Sequence, residues 1–290
     1  MTSARKFRSF GPMRAAFAAP AIAALVVLSG AAAQAANSPW QDIGGGAVRL
    51  VAVKDPAQGT LSGVVEVKLE KGWKTYWRAP GSSGIPPEFD FSGSSAIEVN
   101  SVHFPSPTRI EAGGSVFYGY KDTVAFPFYG LAGPGETELR LDLLIGVCEE
   151  ICIPATASLS IASDELNMSD PKAQMQIMLA ETFLPEGSSD NLRIAGFARE
   201  GNQLQLRIFS EAVETDINAV IWPRDGGWIS DPVKAVRQAD GSYLSAFDLP
   251  EGVDVPDTAS GVWSFALLLQ EPEDHHVRKA VEGRIGTPGE

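Results

Sequence analysis

Gly146-Val147-Cys148-Glu149-Glu150-Ile151-Cys152-Ile153-Pro154 decides the reading of this chain, because it holds both cysteines of the 290 residues and sets them four positions apart. A disulfide needs Cα atoms roughly 4.4–6.8 Å apart, whereas four residues of extended strand cover roughly 13 Å. The segment must bend if the sulfurs are to meet, so the spacing predicts a strand that enters a turn at Cys148. Closing so short a loop stabilises a fold by only about 2 kcal/mol. That is little help to a chain long enough to bury a core without a covalent brace. Three readings of the pair stand at this point: a redox-active pair, an inert staple, and part of a metal site.

Working outward, the strand that leads into the pair, Glu138 to Ile145, is one of a series. From Ala47 to Ile161 the pattern has period two: Val48, Leu50 and Ala52 alternate with Arg49, Val51 and Val53, and Val65, Val67 and Leu69 with Glu66, Lys68 and Glu70. Turn residues cut the series at Asp55-Pro56, Lys71-Gly72, Ala79-Pro80-Gly81, Ser92-Gly93, Gly113-Gly114 and Gly133-Pro134-Gly135. Many short strands at this spacing predict a β-sandwich or barrel.

A composition break follows. Ser169-Asp170-Pro171 combines a capping residue with Pro at a first helical position and predicts a helix over Ala173 to Leu184, whose Met175 and Met178 read as packing rather than as a copper-binding stripe. Pro185-Glu186-Gly187-Ser188-Ser189 has linker composition, which places a boundary in residues 164–189. Alternation then resumes in Leu192-Arg193-Ile194, Leu204 to Ile208, Ala219 to Trp222, Tyr243 to Phe247 and Val262 to Leu269. The expectation is an all-β chain of two sandwich- or barrel-type units, residues 37–163 and 190–290, joined by a short helical linker. The second sandwich has no cysteine and reads as scaffold or docking surface.

At the N-terminus, Arg5, Lys6, Arg8 and Arg14 precede an apolar run from Ala15 to Leu28, and Ala33-Gln34-Ala35 ends a small-residue stretch. Residues 1–35 read as a cleaved secretory signal peptide with an A-x-A site, leaving Ala36 or Asn37 first and no membrane span after cleavage. The signal carries four cations and no anions, so its removal takes the net charge from −13 to −17. So acidic a protein is a poor partner for nucleic acid or an anionic membrane. An exported compartment is oxidising, which lets the pair rest as a disulfide.

Residues 40–161 resemble the periplasmic N-terminal domain of the DsbD family of thiol:disulfide interchange proteins, and the resemblance implies a fold of two immunoglobulin-like β-sandwiches. The resemblance rests on Gly72-Trp73-Lys74-Thr75-Tyr76-Trp77-Arg78, on Phe117-Tyr118-Gly119-Tyr120-Lys121-Asp122, and above all on Val147 to Pro154. The two-unit layout and the shorter cysteine spacing are similar to the ScsB-like branch, associated with copper tolerance. The resemblance implies that Cys148 and Cys152 are the redox pair, Cys152 forming a mixed disulfide with a partner and Cys148 resolving it. It implies that Phe117, with Tyr118 and Gly119, belongs to a cap loop whose ring covers the disulfide and moves aside on docking, that Tyr76 lies near the pair, and that Pro154, two residues after Cys152, is another neighbour. Where the family has acidic residues before the cap aromatic, this chain has Ser115 and Val116, so no acid–base part carries over to them. The implied activity is protein-disulfide reductase-like exchange in the periplasm of a Gram-negative bacterium. It needs no cofactor or metal, and its partners are thioredoxin-like proteins and a membrane electron conduit on a separate polypeptide.

The local chemistry fits a relay. Glu149 and Glu150 between the cysteines disfavour a thiolate, so the pair waits to be attacked, and an aromatic cover keeps small thiols out. A copper-binding or copper-delivery protein using the same cysteines, completed by His275-His276, is the alternative, and an adhesion-like module with a staple is another. His103 reads as a strand residue, and Trp222-Pro223-Arg224-Asp225-Gly226-Gly227-Trp228 as a strand end and turn.

Overall fold

The computed structural model describes residues 1–2, 37–55, 57–80, 84–112, 115–166, 170–211, 216–223, 228–250, 263–271 and 277–285. Before the helix lie β1 (Gln41–Asp42), β2 (Gly46–Lys54), β3 (Thr60–Leu69), β4 (Lys74–Tyr76), β5 (Glu88–Asp90), β6 (Ile97–Val102), β7 (Thr108–Ala112), β8 (Ser115–Lys121), β9 (Thr123–Ala132), β10 (Glu138–Cys148) and β11 (Cys152–Ala162). After α1 (Pro171–Glu181) come β12 (Glu186–Gly187), β13 (Leu192–Glu200), β14 (Gln203–Ser210), β15 (Asp216–Pro223), β16 (Val233–Lys234), β17 (Val236–Arg237), β18 (Tyr243–Asp248), β19 (Trp263–Gln270) and β20 (Val277–Ile285). The signal peptide and His275-His276 lie outside the described residues, as does most of the loop between Trp222 and Trp228.

The expected all-β class with two sandwiches is the observed one. The first packs a sheet ordered β1-β2-β3-β9-β6 against one ordered β11-β10-β4-β8-β7, with β5 on β10. Period two puts Val48 and Leu50, with Phe126 of the same sheet, into one core cluster with Leu141 and Ile145 of the other sheet, and Trp77 is fully buried among them. The second sandwich faces β12-β20-β19-β15-β16 with β13-β14-β18-β17.

Two features depart from beads on a linker. The helix begins as expected, with Asp170 accepting hydrogen bonds from the backbone N–H of Lys172 and Ala173 and with Pro171 in the first turn. It is docked rather than strung, however, because Ala173, Ile177 and Ala180 bury against Val51, Val53 and Val64 on the outer face of β2 and β3. Small residues lead the buried stripe, so the methionines do not pack: Met175 is 70% exposed and Met178 66%.

The second departure is β19, which is buried along almost its whole length. Phe265, Leu267 and Leu269 fill the second core. Ala266 and Leu268, with Val220 and Ala280, join the core cluster of the first sandwich. A strand covered on both faces reads as a continuous apolar run rather than an alternating one, which is how Val262 to Leu269 is written. The sandwiches thus meet sheet to sheet, and residues 35–290 form one compact unit.

Candidate functional site

The cysteine hairpin is built as the spacing required. β10 ends at Cys148, Glu149-Glu150-Ile151 turn, and β11 starts at Cys152, placing the two cysteines directly opposite each other. Their Cα atoms are 4.2 Å apart and the sulfurs are bonded; antiparallel pairs of the closer kind sit at about 4.5 Å, so the hairpin brings the thiols together. Burial is unequal. Cys148 is 4% exposed, whereas Cys152 lies on the surface between Ile151, 78% exposed, and Ile153.

The neighbouring strand supplies what covers them. Lys71-Gly72, with Gly72 at φ 91°, turns the chain into β4, which pairs with β10 on one side and β8 on the other. Thr75, fully buried, donates its hydroxyl to the carbonyl of Gly146 at 2.8 Å, while Tyr76 points the other way. The Tyr76 hydroxyl lies 2.7 Å from Cys152 Sγ and 3.1 Å from Cys148 Sγ. Neither sulfur of a disulfide carries a proton, so the hydroxyl is the donor. Burial raises the Tyr76 phenol above its ordinary 10.0, so the donor keeps its proton at neutral pH.

Glycine on both sides lets the neighbouring strands close on Tyr76. A Cβ on Gly146 would stand 2.8 Å from Tyr76 Cδ2, and one on Gly119, paired with Tyr76 across the strands, would stand 2.1 Å from the carbonyl oxygen of Thr75. The expected neighbour Gly119 therefore acts through close backbone approach.

Phe117 stacks on Tyr76 at 5.0 Å between ring centroids and closes a small apolar cluster with Ile110, Cys148 and Ile85. It is 9% exposed and belongs to β8, a strand rather than a cap loop. Tyr118 is a neighbour in sequence only. Alternation turns it to the opposite face of β8, into the main core and against Gln270 of the second sandwich. Pro154 sits exposed on β11, across from Gly146, and Val116 is 49% exposed beyond Phe117.

Sequence reasoning did not reach Ile110, Ile85, Gly146 or Lys74. Glycine inside the strand Glu138 to Cys148 was the available signal for Gly146. Lys74 is opposite Cys148 in register and donates its amine to the carbonyl of Glu149 at 2.9 Å, so a cation stands at the turn beside the two glutamates. Among the described residues no three His, Cys, Asp or Glu side chains gather as a metal site, and His103 is a partly buried residue after β6 that contacts Ser101 and Tyr129.

Comparison with known proteins follows the same lines. The profile described as the N-terminal domain of the thiol:disulfide interchange protein DsbD matches residues 47–163. Among solved structures, the N-terminal periplasmic domain of ScsB from Proteus mirabilis superposes with a TM-score of 0.61 at 23% identity, covering 88% of this chain and 100% of that one. A putative membrane-anchored protein from Corynebacterium diphtheriae aligns over 83% of this chain and 53% of that one, at 10% identity and a TM-score of 0.21, too low to carry an argument. No curated protein matches. The ScsB likeness extends the shared fold over both sandwiches, and residues 47–163, which hold the cysteine hairpin, Tyr76 and Phe117, belong to the family of DsbD N-terminal domains.

Proposed function

We propose that this chain is a periplasmic thiol:disulfide exchange protein, which passes electron pairs through Cys148 and Cys152 to or from thioredoxin-like partners. The observation that carries this reading is the unequal burial of one disulfide, with Cys152 at the surface and Cys148 beneath Tyr76 and Phe117. Exchange requires a thiolate to approach one sulfur with the other as leaving group, and access favours Cys152. Exposed Ile151 and Ile153 on either side of it offer an apolar rim to a docking protein. A periplasmic setting and the ScsB-like branch are supported by the likeness to the ScsB periplasmic domain.

A partner thiolate attacks Cys152 Sγ, a partner–Cys152 bond forms, the Cys148–Cys152 bond breaks, and the electron pair leaves on Cys148 Sγ. The Tyr76 hydroxyl, 3.1 Å away, donates to the developing thiolate. The partner's second thiolate then attacks its own sulfur in the mixed disulfide and releases the Cys152 thiolate. Two electrons pass to the pair, and the partner becomes a disulfide. Run in reverse, the Cys152 thiolate attacks an oxidised client and Cys148 resolves the adduct.

Trapping tests the assignment. Cys148→Ala should accumulate a covalent adduct with a thioredoxin-like protein that lacks its own resolving cysteine, seen on non-reducing gels, whereas Cys152→Ala should trap much less. Equal trapping would remove the assignment of roles, and no trapping by either variant would remove the exchange function.

A further inference from the structure

The second sandwich holds no cysteine, yet it reaches the strand that covers the disulfide. Beyond Gly119, β8 has left the register of β4: pairing with β4 spans 119–121, and Ser115 to Gly119 pair with β7, the edge strand of the sheet. Trp77 N–H adds one backbone bond to the carbonyl of Tyr118 at 3.0 Å. The tip that carries Phe117 is thus a two-stranded ribbon, and such ribbons are marginal without support from a face.

One face of the ribbon presents Phe117 and Ile110 to the disulfide. The other presents Tyr118, whose hydroxyl accepts a hydrogen bond from Gln270 Nε2 at 2.6 Å. Gln270 ends β19, is 2% exposed, and has its amide held at the other end by Asn218 Nδ2, which donates to Oε1 at 2.9 Å. Beside this contact the ribbon borders a cavity of about 390 Å³, lined among others by Arg109, Val116, Asp216 and Lys234. Tyr118 and Gln270 both line it.

We propose that Gln270 is a positioning residue for the redox site. Its bond to Tyr118 clamps β8 from the second sandwich and holds Phe117 over the disulfide, so the second sandwich sets how often the cover opens. This rests on the reading of Phe117 as the cover.

The test uses the full chain and the rate of disulfide reduction by dithiothreitol, with thermal melting of each variant as a control. Tyr118→Phe keeps the ring and removes only the hydroxyl, and Gln270→Leu removes the donor. Each should speed reduction by about fivefold, the factor that one buried hydrogen bond of typical strength applies to the open population. In a Phe117→Ala background, where the cover is already gone, neither should add to the rate. A merely structural role would lower the melting temperature and leave this non-additivity absent. If Phe117→Ala speeds reduction but Tyr118→Phe and Gln270→Leu do not, or if they add equally in both backgrounds, the clamp is wrong and the cover stands. If Phe117→Ala leaves the rate unchanged, the cover fails and the clamp with it.

Discussion

Two side chains over the disulfide make opposite demands on its chemistry, and substitution should separate them. Phe117 excludes reagents: Phe117→Ala should raise the rate of reduction by dithiothreitol several-fold, measured by stopped-flow fluorescence. Its ring contacts a satellite cluster rather than the main core, so a large fall in melting temperature would return it to a packing role. Tyr76 assists departure: its hydroxyl is the donor aimed at both sulfurs. A hydrogen bond to a forming anion is worth roughly 1.5–3 kcal/mol, so Tyr76→Phe should slow reduction by about tenfold or more. An unchanged rate would make the hydroxyl a spectator. Both residues face the pair only because strand alternation puts them there; Tyr118, one position on from Phe117, serves the interface instead.

At the scale of elements, the site depends on how closely β4, β8 and β10 approach. Gly146→Ala would set a Cβ 2.8 Å from Tyr76 Cδ2 and from Ile85 Cβ, and 2.9 Å from the Ile85 carbonyl oxygen. Relief needs movement of backbone as well as ring, so a loss of about 1–3 kcal/mol is expected in denaturant unfolding, together with a changed reduction rate as Tyr76 shifts. The helix offers an independent check of the docking described above. Asp170→Ala removes the acceptor for two N–H groups and should cost about 1 kcal/mol while leaving reduction kinetics alone, because α1 lies on the sheet opposite the cysteines. Met175, Met178 and Leu179 of α1, and Phe183 just after it, are exposed.

At the scale of the whole molecule, a partly buried ion pair joins the sandwiches. Arg78 follows β4, lies over the rings of Phe104 and Trp222, and meets Glu282 of β20 at 3.3 Å. Burial raises the Glu282 carboxyl above the ordinary 4.5, and Arg78 opposes the rise without cancelling it. A folded-state value above the unfolded one means a contribution to stability that is full below 4.5 and lost as pH rises through the folded value. The stability of the wild type minus that of Glu282→Gln should therefore fall as pH is raised from about 4 through that window. A difference that is flat or grows with pH would show that Arg78 dominates. The first sandwich, the interface and the second sandwich should lose structure together, since the cluster of core residues runs from Val48 to Ala280.

What the sequence determined by itself was local. Period two made the chain all-β, Asp170-Pro171 started a helix, and two cysteines four apart demanded a bend, because an extended segment holds them too far apart to meet. The residues around the cysteines carried the family resemblance. Tertiary structure decided which face each residue took and what that face met. Period two says that Phe117 and Tyr118 point apart, but not which of them meets the disulfide. That follows from the register of β8 on β4, set by pairings more than forty residues apart in sequence. The same holds for Met175 and Met178: an apolar helix shows which residues want burial, but the docked stripe went to Ala173, Ile177 and Ala180, whose small side chains allow close approach to a valine-covered sheet. The unequal exposure of Cys148 and Cys152 is likewise a property of the packed strands, since two chemically identical side chains on one hairpin differ only in what the rest of the chain lays over them.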